Sequence, residues 1–537
     1  MYDYVIVGAG STGCVLAARL SEDPDVSVCL VEAGPADTDP DIHVPAAFAK
    51  LFRTHLDWDY DTAEEAHLNR RRVYLPRGRV LGGSSSTNAM VYARANRVDY
   101  DGWGQPGWSY ADLLPYFRLS EDNERGESEY HGAGGPLAVS DARARNPSAA
   151  AFVEAAVQAG FPRNDDVNGA EQEGFGFFQV TQRDGRRCSS AVAFLHPAMD
   201  RPNLTVEVNL QTHRILIENG RATGVVGRRL DDELTIRAAR EVILAAGTYN
   251  SPQLLMLSGV GAAEQLRPLG IPVVVDLPEV GRNLQDHVLV PLNFLHPHPI
   301  SLLAAGQPEH VEQFMAHGRG PLTSNGPEAG GFARTDPGLP APDVEFFAAP
   351  VMFVDSGLGI PTAHAISCGP VLLTPRSRGT VSLASDAPTA KPRIVHNYLA
   401  EDADLRTAVA AVRLGLEIAR QPAMAEYTHE WYCAPASESD ADLREYARRY
   451  AHSIFHAAGS CAMGAVVDET LQVYGLAGLR VADASVMPTI GRGNPNATAI
   501  AIGEKAADLI TGHARTAPAA ASEPGRGPAV ASLAGSA

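Results

Sequence analysis

The run Gly8-Ala9-Gly10-Ser11-Thr12-Gly13 constrains this chain more than any other segment. It follows the apolar stretch Tyr4-Val5-Ile6-Val7 and opens a helical stretch through Leu20, after which Val26 to Glu32 reads as a second strand. Strand, glycine turn, helix and strand in that order make a βαβ unit, a mononucleotide-binding half. Gly8, Gly10 and Gly13 permit a tight turn, close approach of backbone to a diphosphate, and close helix-strand packing. Ser11 and Thr12 begin the helix, whose aligned N–H groups and partial positive charge favour phosphate. Glu32, nineteen residues past Gly13 and followed by Ala33, stands where a carboxylate accepts from ribose hydroxyls and disfavours a 2′-phosphate. Alone, the motif serves FAD and NAD equally.

At 537 residues the chain exceeds what one core supports, so at least two domains are expected. Hydrophobic residues at 45% and charged residues at 20% describe a globular protein rather than a membrane span, and no run of ~18 apolar residues occurs. No signal-peptide pattern precedes the first strand, and a cytoplasmic location is expected. The six cysteines are scattered without C-x-x-C or histidine pairing, which predicts buried free thiols and no metal site. A net charge of −19 argues against nucleic acid or an anionic membrane as partner; it serves solubility, and secondarily the steering of cationic substrates.

Leu204 to Val208, Arg214 to Ile217 and the turn Glu218-Asn219-Gly220 are predicted to be antiparallel strands with a hairpin, and Glu241 to Ala245 a buried strand. Val344 to Phe347 and Gly379 to Leu383 read as strands of a region without glycine patterns, and Ala499 to Ile510 as a helix. The predicted partition is discontinuous: cofactor segments 1–150, 196–287 and 452–512, substrate segments 151–195 and 288–451, and a disordered tail 513–537 rich in Ala, Pro, Gly and Ser.

Two further blocks decide the cofactor. Gly78-Arg79-Val80-Leu81-Gly82-Gly83-Ser84-Ser85-Ser86-Thr87-Asn88 resembles the first signature of the glucose-methanol-choline (GMC) oxidoreductases, and Gly247-Thr248-Tyr249-Asn250-Ser251-Pro252 through Gly261 resembles the second. The likeness covers residues 1–295 and about 370–510. It implies an α/β fold: a Rossmann-like FAD-binding domain with a discontinuous α+β substrate domain on an antiparallel sheet. Arg79, Val80, Gly82, Gly83, Ser84 and Asn88, then Met90 and Val91, are read as cofactor-binding, with Asn88 bonding a ring edge. Ala246 and Gly247, Asp483 and Ala484 near the ribityl chain, and Pro495 and Asn496 near the ring complete that set. Thr212 lies near the adenine by the same resemblance. Some members carry a flavin-linked histidine where this chain has Thr87, so the FAD is expected to be non-covalent.

His456-Ala457-Ala458-Gly459-Ser460-Cys461-Ala462-Met463-Gly464 resembles the family block whose leading histidine faces the flavin. Hydride loss from an alcohol requires that the hydroxyl proton leave, which makes His456 the expected base, with flavin N5 as hydride acceptor. Asn494 stands where other members have a second histidine; members similar to choline oxidase and choline dehydrogenase have asparagine there. Asn494 is expected to donate to the substrate oxygen. His452 is left without a chemical role, Trp103 and Trp108 are read as structural, and Ile454 is read as lining the route of oxygen or another acceptor. The resemblance implies oxidation of a primary alcohol to the aldehyde; the strongly acidic chain and its Ala-, Arg- and Gly-rich composition add the expectation of a bacterial enzyme acting on polar, cationic or amino-sugar alcohols. Choline dehydrogenase or oxidase proper and an FAD-containing hydroxynitrile lyase are the alternatives.

Overall fold

The computed structural model describes residues 1–513; the predicted disorder of the tail lies outside the described residues beyond His513. The strand Tyr2–Val7 pairs in parallel with Val28–Val31 on one side and with the end of Asp232–Leu244 on the other. Val5, Ile6 and Val28 to Leu30 are fully enclosed, as expected of a parallel strand covered on both faces. The helix Ser11–Leu20 packs against the last helix, Pro495–Thr511, and Arg19 donates to the buried Glu504 at 2.7 Å between them. That last helix begins at its proline, four residues earlier than predicted.

One predicted strand belongs elsewhere. Leu204–Glu207 is not in an antiparallel hairpin but runs parallel to Val28–Val31 at the edge of the cofactor sheet. Its apolar-polar alternation suits either pairing, and only the chain path separates them. The hairpin is formed by Gln211–Glu218 and Arg221–Arg229 around Asn219 and Gly220, both with positive φ. Asp232–Leu244 starts antiparallel to that hairpin, then enters the parallel sheet, where Leu479–Val481 pairs with its last residues.

The second sheet is antiparallel. Its strands run in the order Glu430–Trp431, Leu292–His296, His364–Leu372, Val344–Ala349, Ala329–Ala333 and Gly174–Phe177. Alternation along Val344–Ala349 sorts its faces: Phe346 packs on Phe175 in the main core, whereas Phe347 and Ala349 line a cavity. The helix Asp402–Ala419 covers the core-facing side, burying Leu405, Val409, Val412 and Leu416. The pair His452–Ser453, placed with the cofactor segments by sequence, joins Val288–Leu289 of this second sheet. The sheet therefore reaches to within three residues of His456.

Trp103 and Trp108 are buried, their indole N–H groups donating to Thr489 O at 3.0 Å and Glu469 O at 2.8 Å. All six cysteines are free thiols; five are buried and Cys433 is partly exposed.

Candidate active site between the two sheets

A cavity of ≈ 710 Å³ runs from the glycine turn to the inner face of the second sheet. Its cofactor end brings together Gly8, Gly10, Ser11, Thr12, Glu32, Ala33, Gly83, Ser84, Asn88, Met90, Val91, Ala246, Gly247, Asp483, Ala484, Pro495 and Asn496. Segments nearly five hundred residues apart are tied directly: Ser11 Oγ donates to Asn496 Oδ1 at 2.7 Å, and Thr12 Oγ1 to Ala499 O at 3.1 Å.

Four expected cofactor residues do not line the cavity. Gly13 is turned into the fold, where a side chain would strike the carbonyl of Gly8; it serves the close packing of helix on strand. Gly82 donates its N–H to Ala9 O at 2.7 Å and so fastens the second glycine block to the first. Val80 packs with Ile42, Leu51 and Leu56. Arg79 stands behind Trp58, its guanidinium 5.3 Å from the ring centroid.

The cavity fits an adenine dinucleotide. Glu32 accepts from Ala9 N at 2.9 Å and Gly34 N at 2.8 Å, and burial pushes its carboxyl up to about 7 against those bonds and the charge of Arg79. Ribose hydroxyls would supply the donors this buried acid lacks. Thr212 Oγ1 is buried without a partner on the same wall. A side chain at Gly83, where φ is +53°, would sit 2.6 Å from Gly10 Cα, so the two glycine turns meet backbone to backbone. Asp483 accepts from Gly247 N at 2.9 Å and Ser251 Oγ at 2.5 Å, capping the helix Gly247–Leu257. Asn88 is committed through its amide oxygen to Met90 N at 3.0 Å and Arg187 Nη1 at 2.8 Å.

His456 and Asn494 meet at the other end. Asn494 is the N-cap residue of the last helix but makes no capping bond; its Nδ2 instead lies 3.3 Å from His456 Nε2. Its Oδ1 is buried and unpartnered. His456 Nδ1 lies 2.9 Å from Nδ1 of His287, whose Nε2 lies 3.2 Å from Leu373 O. A carbonyl only accepts, so His287 carries its proton on Nε2. Burial holds His287 down to about 3, leaving Nδ1 as an acceptor. His456 therefore carries its proton on Nδ1, and its Nε2 lone pair faces Asn494 and the cavity. Burial, then the nearby His287 and Arg77, holds His456 well below the usual histidine range, so it is neutral.

The loop that carries His456 is fixed from beneath. Asp286 accepts from His456 N at 2.8 Å, Ser453 Oγ at 2.5 Å and Tyr398 Oη at 2.6 Å. Gln285 and Ala458 exchange backbone bonds, and Arg77 Nη1 donates to Phe455 O at 2.5 Å. Phe455 is held at φ +70° immediately before the histidine. The run Asn283-Leu284-Gln285-Asp286-His287, missed by sequence reasoning, thus underlies the site; its signal is four polar residues interrupting an approach to an apolar strand. His452 turns away, its ring 5.4 Å from Phe353, and does not line the cavity, whereas Ile454 does.

Family models described as GMC oxidoreductase match residues 2–289 and 375–503. The chain is 44% identical to an alcohol dehydrogenase [acceptor] of Pseudomonas putida, over 95% of this chain and 96% of that one. It is 44% identical to an oxygen-dependent choline dehydrogenase of Burkholderia pseudomallei, over 98% and 99%. Among solved structures it resembles pyridoxine 4-oxidase from Mesorbium loti, with a TM-score of 0.88 at 32% identity, covering 96% of this chain and all of that one. The chain belongs to the GMC oxidoreductases, FAD-dependent enzymes that act on CH–OH donors.

Proposed function

We propose that His456 is the base and Asn494 the hydroxyl-orienting donor in oxidation of a primary alcohol to its aldehyde. One observation carries the reading: the unprotonated Nε2 of a half-buried, neutral histidine faces the cavity beside a side-chain amide at 3.3 Å. The alcohol oxygen, placed between them, accepts from Asn494 Nδ2 while its proton passes to His456 Nε2. The Nδ1–H bond to His287 is kept throughout and steadies the imidazolium that forms. FAD, when bound, supplies the hydride acceptor, taking the carbinol hydrogen with two electrons as C–O becomes C=O. Burial between the sheets excludes water from the exchange.

The segments 1–150, 196–287 and 452–512 hold the cofactor in this reading, and 151–195 with 288–451 build the substrate wall. Among the described residues His456 is the histidine lining the cavity, and Thr87 stands beside Asn88; both observations support a non-covalent FAD, which acid precipitation should release into the supernatant. The unpaired thiols support the expected cytoplasmic setting, and no helix among the described residues is long and apolar enough to cross a membrane. The acceptor that reoxidises the enzyme, oxygen or another, is reached past Ile454.

His456→Ala tests the assignment. Loss of a general base lowers the rate of anaerobic flavin bleaching by an alcohol about 10²- to 10⁴-fold with FAD retained. Near-normal bleaching would remove His456 from the role.

A further inference from the structure

Three arginines are buried among the described residues: Arg94, Arg187 and Arg480. Arg94 is paired with Glu121 at 2.5 Å and Arg480 with Glu241 at 2.6 Å. Among the described residues no carboxylate pairs with Arg187. Its Nε donates to Ile42 O at 2.7 Å and its Nη1 to Ser85 O at 3.1 Å and Asn88 Oδ1 at 2.8 Å, while Nη2 is enclosed without a partner. Burial alone pulls the guanidinium down to about 9, so it keeps its charge at neutral pH. A cation held this way costs stability, since neutral carbonyl oxygens replace only part of its hydration.

That charge reaches the cofactor end of the cavity through one side chain. Arg187 does not line the cavity; Asn88 does, and its Oδ1 accepts from both Arg187 Nη1 and Met90 N, the latter at 3.0 Å. Two donors on one amide atom admit only the oxygen there, which settles the orientation of the amide. The Nδ2 group makes no hydrogen bond among the described residues and is left for the cavity. The turn is held from behind as well: Arg187 pairs with Gln182 in a short antiparallel ladder, and Thr181 N donates to Met90 O at 2.9 Å.

We infer that Arg187 is a positioning residue for the flavin ring, a fixed counter-charge relayed by Asn88 that raises the reduction potential of the bound FAD. The inference rests on the reading of Asn88 as the residue at the ring edge. A neutral oxidised ring that accepts a hydride gains one proton and two electrons and so becomes an anion, while the hydroxyl proton of the alcohol goes to His456. The cation that lacks an opposite charge in the oxidised enzyme then finds one a single amide away, in an interior of low dielectric. It also polarises that amide, which makes Nδ2–H a stronger donor to an electron-rich edge. Arg77, which does line the cavity, is in a different position, because the buried Asp286 lies within range of its charge.

The test reads a potential and needs no alcohol. FAD-loaded wild type, Arg187→Met and Arg187→Lys are photoreduced slowly and anaerobically beside a reference dye, and the ratio of oxidised to reduced flavin is followed. Arg187→Met removes the charge at similar length and should move that ratio about tenfold or more toward the oxidised form at a given potential, about 30 mV for a two-electron couple. Arg187→Lys keeps a charge and should recover more than half of the shift. Arg187→Gln carries the same expectation as Arg187→Met should the latter fail to hold FAD. A ratio within about twofold of wild type in the uncharged variants overturns the inference. So does weaker FAD binding with an unshifted potential, which would assign the charge to the diphosphate, and so does an equal shift in the Lys and Met variants, which would trace it to packing. Asn88→Leu tests the underlying reading: no shift there removes Asn88 from the ring edge, whereas a shift there with none in Arg187→Met overturns the relay alone.

Discussion

His287 does not itself line the cavity, yet the chain of bonds Leu373 O, His287, His456 makes it the residue that decides where the base keeps its proton. His287→Leu removes the acceptor and leaves His456 Nδ1–H buried without a partner, a cost of about 1–3 kcal/mol. The alternative tautomer escapes this by moving the proton to Nε2, which faces the cavity and can then no longer take a proton from an alcohol. The reactive tautomer falls accordingly, and the limiting rate of anaerobic flavin bleaching should drop roughly 5- to 150-fold. Half-saturation should move little, since Asn494 still meets the alcohol oxygen. His287→Gln keeps an acceptor in reach and should recover most of the rate. Flavin content, read from the ratio of visible to ultraviolet absorbance, should match wild type in both variants. Bleaching by His287→Leu within about twofold of wild type would refute the relay, and an equal loss in the Leu and Gln variants would trace the effect to packing instead.

Two further outcomes are expected. Glu345 is raised well above its ordinary value of 4.5 by burial alone, so the native state holds a proton that the unfolded chain releases above that pH. Stability then falls as pH rises, by about 1.4 kcal/mol per unit while the folded carboxyl stays protonated; Glu345→Gln should show a smaller drop in melting temperature from pH 5.5 to pH 7.5, and parallel drops would contradict the unpartnered acid. Ile454 lines the cavity and packs with Phe347 and Leu289, so Ile454→Ala should change reoxidation of the reduced enzyme by oxygen more than reduction by alcohol, and an unchanged oxygen rate would count against its place on that route.

The cofactor end was legible because its determinants are local. Gly8 to Gly13 with Glu32 announce the turn and the acid within one βαβ unit, and the blocks around Gly82 and Gly247 are contiguous runs. Gly13, Gly82 and Val80 turn away from the cavity for a common reason: they fall inside motifs whose glycines and apolar residues pack the turn, and a linear pattern does not distinguish the two directions. The parallel pairing of Leu204–Glu207 was hidden for a different reason, since partner choice in a sheet is a property of chain path. His287 and Asp286 were missed because their roles arise only when residues 283–287 lie against 453–458, about 170 positions later.

That contact also explains how a loop can aim a base. Phe455 holds a left-handed conformation that a bulky side chain adopts only at a cost of about 1–3 kcal/mol, and such strain persists only where the surroundings over-determine it. Here they do: Asp286 grips the residues on both sides, through Ser453 Oγ and His456 N, and Arg77 holds the carbonyl of Phe455 itself. His452–Ser453 adds a strand pairing on the near side and Gln285 with Ala458 a second on the far side. The histidine is thus carried on a short bridge whose two ends are anchored to Val288–Leu289 and to the segment just before it. Its Nδ1 is read by His287 from that same run, so one stretch of five residues sets both the position of the base and its protonation.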